Sequence, residues 1–213
     1  MNTRTVLSFF VAVSLCGSVK GQSLLLEQGQ AAPFVQVGYT HTNLSDYDIK
    51  SNGGEVHIGY AFSPKADVGF CAGYSRASTK SRSRISMSSN STMVGQFIDY
   101  YPVRFKAKKR EFAFGLHESY MAALSAVGDP VVSGIVSVNT ITRPDHNSVG
   151  TSLSLGLGGM RPIGESDIEF CWLGEVCTFW SNTWFRPMGL IFEFIKTERT
   201  IGFAVGMTLA FCR

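Results

Sequence analysis

The side chains of this chain that could move a proton or attack a bond are few, and their spacing is that of strands. His57, His117, Glu169, Glu175 and Glu193 fall on the small-residue side of segments in which large apolar residues alternate with very small ones. Asp99 and Arg104 lie in a segment whose alternation is less regular. Successive strand residues point to opposite faces, so these groups would face a common interior. There they would form an acid/base or ion-path cluster, or a hydrogen-bonded plug in which buried charges pair with one another. The plug is the plainer reading.

Nucleophilic catalysis would need a serine, a histidine and an acid to converge. His117-Glu118-Ser119 and His146-Asn147-Ser148 set such residue types side by side. Neighbours in a strand face opposite ways, so neither run makes a triad within one strand. Cys71, Cys171, Cys177 and Cys212 match no zinc or CxxC spacing. On a single strand Cys171 and Cys177 would lie about 20 Å apart, too far to pair with each other, and a bridge between neighbouring strands stays open. No metal and no cofactor is expected. Arg76, Lys80, Arg82 and Arg84 make the Ser-rich stretch 76–92 basic. As a loop it would meet lipopolysaccharide phosphates or an acidic partner, or remain a solvated loop.

The elements that must position these groups follow from the alternation. The last segment sets Ile201, Phe203, Val205, Met207, Leu209 and Phe211 against Gly202, Ala204, Gly206, Thr208, Ala210 and Cys212. Residues 149–158 set Val149, Thr151, Leu153, Leu155 and Leu157 against glycine and serine. A soluble half-buried strand would carry charges on its second face. Here that face is small and nearly uncharged, which suits a narrow barrel with lipid outside. Strands are expected near 34–41, 55–62, 68–75, 93–105, 112–117, 131–141, 149–158, 168–180, 190–195 and 201–211, with Pro102 marking an end or a bulge in the fourth. Ten is even, as in bacterial single-chain barrels, with eight as the alternative. Trp172, Trp180, Trp184, Phe185, Tyr100 and Tyr101 fall near strand ends, where aromatic girdles sit.

Composition agrees. The 213 residues are 45% hydrophobic and 16% charged, where soluble domains run near 25% charged. Residues 1–21 read as a signal peptide: Arg4 precedes an apolar run from Thr5 to Val19, with cleavage expected before Gln22. Residues 22–33 read as a polar linker and 34–213 as the barrel. Loss of the signal removes Arg4 and Lys20 from the 19 basic residues, against 16 acidic ones, so nucleic acid is not an expected partner. No later run offers 18 consecutive apolar residues, which leaves a β-barrel or a soluble exported protein.

The cleaved signal, the amphipathic strands and the final strand ending near Phe211 resemble the small outer-membrane β-barrel family, the OmpA/OmpX-like type. Members usually finish on the aromatic itself, whereas Cys212 and Arg213 follow it here. The resemblance implies an all-β, closed, antiparallel up-and-down barrel in the outer membrane of a Gram-negative bacterium. It implies outer-membrane lipid and the barrel-assembly machinery as partners, with lipopolysaccharide a further one. The expected role is structural or surface-interacting, through the loops and without catalysis. An envelope-lipid-modifying enzyme and a narrow channel or carrier are the alternatives.

Overall fold

The computed structural model describes residues 22–27, 30–44, 49–79, 88–124, 130–143, 149–164, 166–180, 188–197 and 200–211. The expected signal peptide lies outside them. The described residues form ten strands: β1 (Ala32–Leu44), β2 (Ile49–Ser63), β3 (Ala66–Thr79), β4 (Ser88–Ala107), β5 (Arg110–Ala123), β6 (Val131–Thr142), β7 (Val149–Pro162), β8 (Glu169–Trp180), β9 (Met188–Thr197) and β10 (Thr200–Ala210). Each pairs antiparallel with its sequence neighbour, and β1 pairs with β10 to close the barrel. Following the register once round returns to β1 displaced by about 12 residues, so the strands tilt by about 40°. The fold is that of a transmembrane β-barrel.

The alternation sets the faces. Phe70, Leu155, Trp172, Phe192 and Phe203 all point outward and are exposed, forming an apolar belt. The opposite face carries Gln36, Ser75, Ser152 and Thr208, all buried. Small inward residues make room for a few large ones. A Cβ on Gly59 would sit 2.5 Å from the Phe34 ring, and one on Gly69 would sit 2.5 Å from the Phe97 ring. In β6 both faces are apolar: Val136 and Val138 point out, while Val131, Ile135 and Ile141 are buried in the lumen. That is why its sequence alternates weakly.

Several strands run longer than the alternation indicates. β2 begins at Ile49, because Ser51, Gly53 and Glu55 continue its inward face. Arg76 is a strand residue rather than a loop residue, since β3 reaches Thr79 and pairs Arg76 with Asn90 of β4. Serine-rich sequence is compatible with a strand here because the lumen accepts small polar side chains. Lys80, Arg82 and Arg84 lie outside the described residues. In β4 the register shifts between Tyr100 and Val103, around Pro102. This bulge is what blurs the faces of that segment. It puts Val103 on the outer face and Arg104 on the inner one, whereas Tyr101 keeps the inward parity of Phe97 and Asp99 and is buried rather than part of a girdle; Tyr100 and Trp172 are exposed on the outside.

Candidate functional site

The lumen is arranged in three layers. The middle one gathers the expected polar groups. His57 on β2, His117 on β5, Glu175 on β8 and Glu193 on β9 are all buried and inward-facing. The register places Glu175 directly opposite Glu193. Asp99 on β4 lies opposite both Asp67 on β3 and His117 on β5. The His117 Nδ1 and the Asp99 carboxylate are 3.0 Å apart. His57 Nε2 lies 3.5 Å from the Glu55 carboxylate. The Phe97 ring stands between the two imidazoles, its centroid 5.7 Å from His57 and 6.5 Å from His117. No lysine or arginine among the described residues enters this layer.

Glu55 and Asp67 belong to this layer although the sequence reading did not single them out. Glu55 sits two residues from His57, so the strand period alone puts both on one face. Asp67 falls between the expected second and third strands, and its pairing with Asp99 brings it into the layer. Glu169 stands apart from the others: it begins β8 at the loop end and is half-buried.

Chemically, the middle layer holds an aspartate–histidine pair without a nucleophile on it. Ser119 is the next inward residue after His117, but its hydroxyl is 2.7 Å from the Ser133 hydroxyl, and His117 Nε2 makes no hydrogen bond to a described residue. Glu118 points the other way, out of the barrel. His146 lies outside the described residues.

Above the middle layer, towards the loops that end β1, β3, β5, β7 and β9, the lumen holds an apolar cluster among buried serines and threonines such as Ser133 and Thr197. Cys71, Met93, Met121, Val131, Ile135, Met160, Cys171 and Ile195 pack as one buried cluster. Methionine is suited to such irregular gaps. Cys71 Sγ lies 3.2 Å from Met121 Sδ, and Cys71, Cys171 and Cys177 are all buried.

Below it, at the end that carries both termini, the seal is an inserted piece of chain. Residues 22–27, expected as a polar linker, enter the barrel mouth with a short 3-10 turn over Gln22–Leu25. Ser23, Leu25 and Leu26 are buried. Leu25 packs with Tyr101, Ala113, Ile141, Cys177, Phe179 and Ile191, while Leu26 packs with Phe34 and Phe97. The segment's carbonyls are capped by two arginines. Arg143 donates to Leu25 O at 2.7 Å and Leu26 O at 2.9 Å. Arg104 donates to Ser23 O at 3.0 Å and also to Pro64 O. Glu111 bridges both guanidiniums, accepting from Arg104 Nε at 2.6 Å and Arg143 Nε at 3.0 Å. The Ser23 amide donates to the Asp67 carboxylate at 2.8 Å, linking the inserted segment to the middle layer. Leu24-Leu25-Leu26 was the available signal: an apolar triplet inside a stretch otherwise rich in Gln and Gly.

No protein-family model matches the sequence, and no curated protein matches it. Solved structures do. The chain is similar to the beta domain of the Bordetella autotransporter BrkA, at 8% identity over 86% of this chain and 100% of that one, with a TM-score of 0.60. It also matches the translocator domain of the autotransporter NalP from Neisseria meningitidis, at 8% identity over 95% and 93% of the two chains, with a TM-score of 0.40. The likeness to the BrkA beta domain is one of fold, and it agrees with the closure described above.

Proposed function

We propose that this chain is a small integral barrel of the Gram-negative outer membrane, of the OmpA/OmpX-like kind. Its lumen is shut, and its role is structural or surface-interacting, carried by the loops rather than by catalysis. The filled lumen is the observation that carries this reading. A polar layer lies between an apolar cap and an inserted segment, and a barrel of ten strands has little free bore. In this reading the termini face the periplasm, and the loops after β1, β3, β5, β7 and β9 face outward. The basic residues Lys80, Arg82 and Arg84 would then meet anionic surfaces.

Five measurements test it. The outer-membrane fraction should contain a band whose mobility shifts on boiling, and Leu155→Arg, on the exposed belt, should lose about 2–4 kcal/mol of stability in lipid. Planar bilayers holding the wild-type barrel should show no discrete conductance steps; steps would favour the narrow channel. Release of fatty acid from lipopolysaccharide, lost in His117→Ala, would favour the lipid-modifying enzyme. Replacing Lys80, Arg82 and Arg84 by serine should spare the heat shift and abolish proteoliposome binding to immobilised dextran sulfate. Unchanged binding would overturn the loop assignment.

A further inference from the structure

The outer wall of the barrel is interrupted by a largely apolar groove that holds a few polar side chains. Two rows of outward-facing residues cross five strands there, each fixed by the register. One runs Ile98, Glu118, Gly134, Gly159, Phe170; the other runs Phe70, Gln96, Tyr120, Val132, Arg161. Between them lies a groove of about 830 Å³, within the range of clefts that hold small ligands. Its floor is low because of the glycines. A Cβ on Gly134 would meet nothing within 4 Å.

This position is costly for the groups that line it. Glu118 and Gln96 are exposed, yet Leu116, Tyr120, Val94 and Ile98, their neighbours on the same face, belong to the apolar belt. A carboxylate facing hydrocarbon needs a donor. Arg161 is exposed one residue before the loop end of β7, two strands from Glu118 and roughly 10 Å nearer the loops. Neither Glu118 nor Arg161 makes an ion pair with a described residue. The groove therefore offers one cation at headgroup height and two acceptor-bearing side chains deeper along an apolar channel.

We infer that this groove seats one outer-leaflet glycolipid of the lipopolysaccharide type, its phosphate on Arg161 and its acyl hydroxyl or amide donors on Glu118 and Gln96. A simple phospholipid supplies the phosphate but has no donor along its chains. The inference rests on the loop end of the barrel facing outward and is independent of what the loops bind.

The test is retention of lipid by the folded barrel. Wild-type and variant barrels are refolded into phosphatidylglycerol vesicles with and without lipopolysaccharide, and folding is checked by the heat shift. After mild detergent extraction, the hydroxy fatty acid carried by each barrel is counted by mass spectrometry. Wild type should keep about one lipopolysaccharide, and Arg161→Ala and Glu118→Leu should each weaken retention about tenfold. Glu118→Gln, which still accepts a hydrogen bond, should keep it. Gly134→Trp should block the groove without removing either charge. Equal retention by wild type, Arg161→Ala and Glu118→Leu overturns the inference. So does equal retention of phosphatidylglycerol and lipopolysaccharide by wild type. A wild-type dimer that Gly134→Trp converts to monomer, with lipid retention unchanged, would assign the groove to a second copy instead.

Discussion

The two ends of the lumen are closed by opposite means. At the loop end the seal is built on side chains that the strands themselves carry, with Met93, Met121, Met160, Ile135 and Ile195 in its apolar cluster. At the terminus end the seal is residues 22–27, chain that is covalently outside the barrel wall, held by Arg104, Arg143 and Glu111. The first cannot leave without unpairing strands. The second can withdraw at the loss of a handful of hydrogen bonds and the burial of Leu25 and Leu26. The difference teaches that a barrel wall with mostly small inward residues leaves a mouth that a separate segment must fill, whereas bulky inward residues close the other end unaided.

The sharpest way to break this comparison is to hollow out the loop-end seal. Met121→Ala or Met160→Ala should each cost about 2–5 kcal/mol, measured by urea unfolding of the vesicle-embedded barrel, because both side chains are fully buried. A loss below about 1 kcal/mol would mean that end is loosely packed and the contrast is false. Less costly, at about 1–3 kcal/mol, should be removal of the arginine clamp in Arg104→Ala/Arg143→Ala. Its diagnostic readout is thiol labelling in a Cys212→Ser background. Cys177 packs beside Leu25 and should become reactive to maleimide, while Cys71 and Cys171 in the loop-end cluster stay protected. Simultaneous labelling of all three would show that the ends open together. The smallest effect should come from salt. Arg143 and Glu111 are partly exposed, so raising ionic strength should weaken the terminus-end seal by up to about 1 kcal/mol. It should speed Cys177 labelling and leave Cys171 unchanged.

Much of the fold was legible because strand alternation is a local property. In β7 and β10 each side chain's face follows from its parity, and the belt of Leu155, Phe203 and Val205 could be read directly. The same parity placed His57, His117, Glu175 and Glu193 inside. It failed where local signals conflict: at Arg104, whose face depends on the bulge beside Pro102, at Arg76, where serine-rich sequence resembled a loop, and in β6, where both faces are apolar.

The sequence by itself therefore determined which residues lie in strands, which face most of them present, and that the outer face is suited to lipid, since period and propensity act over a few residues. Only the tertiary structure decided which inward groups meet. Asp67 reaches Asp99, and Asp99 reaches His117, because turns and one bulge set the register between distant strands. The same holds for Ser23 against Asp67 and for Glu118 and Arg161 on one groove. Their proximity is created by closure of the barrel and by hydrogen bonding between strands, which no stretch of sequence contains alone.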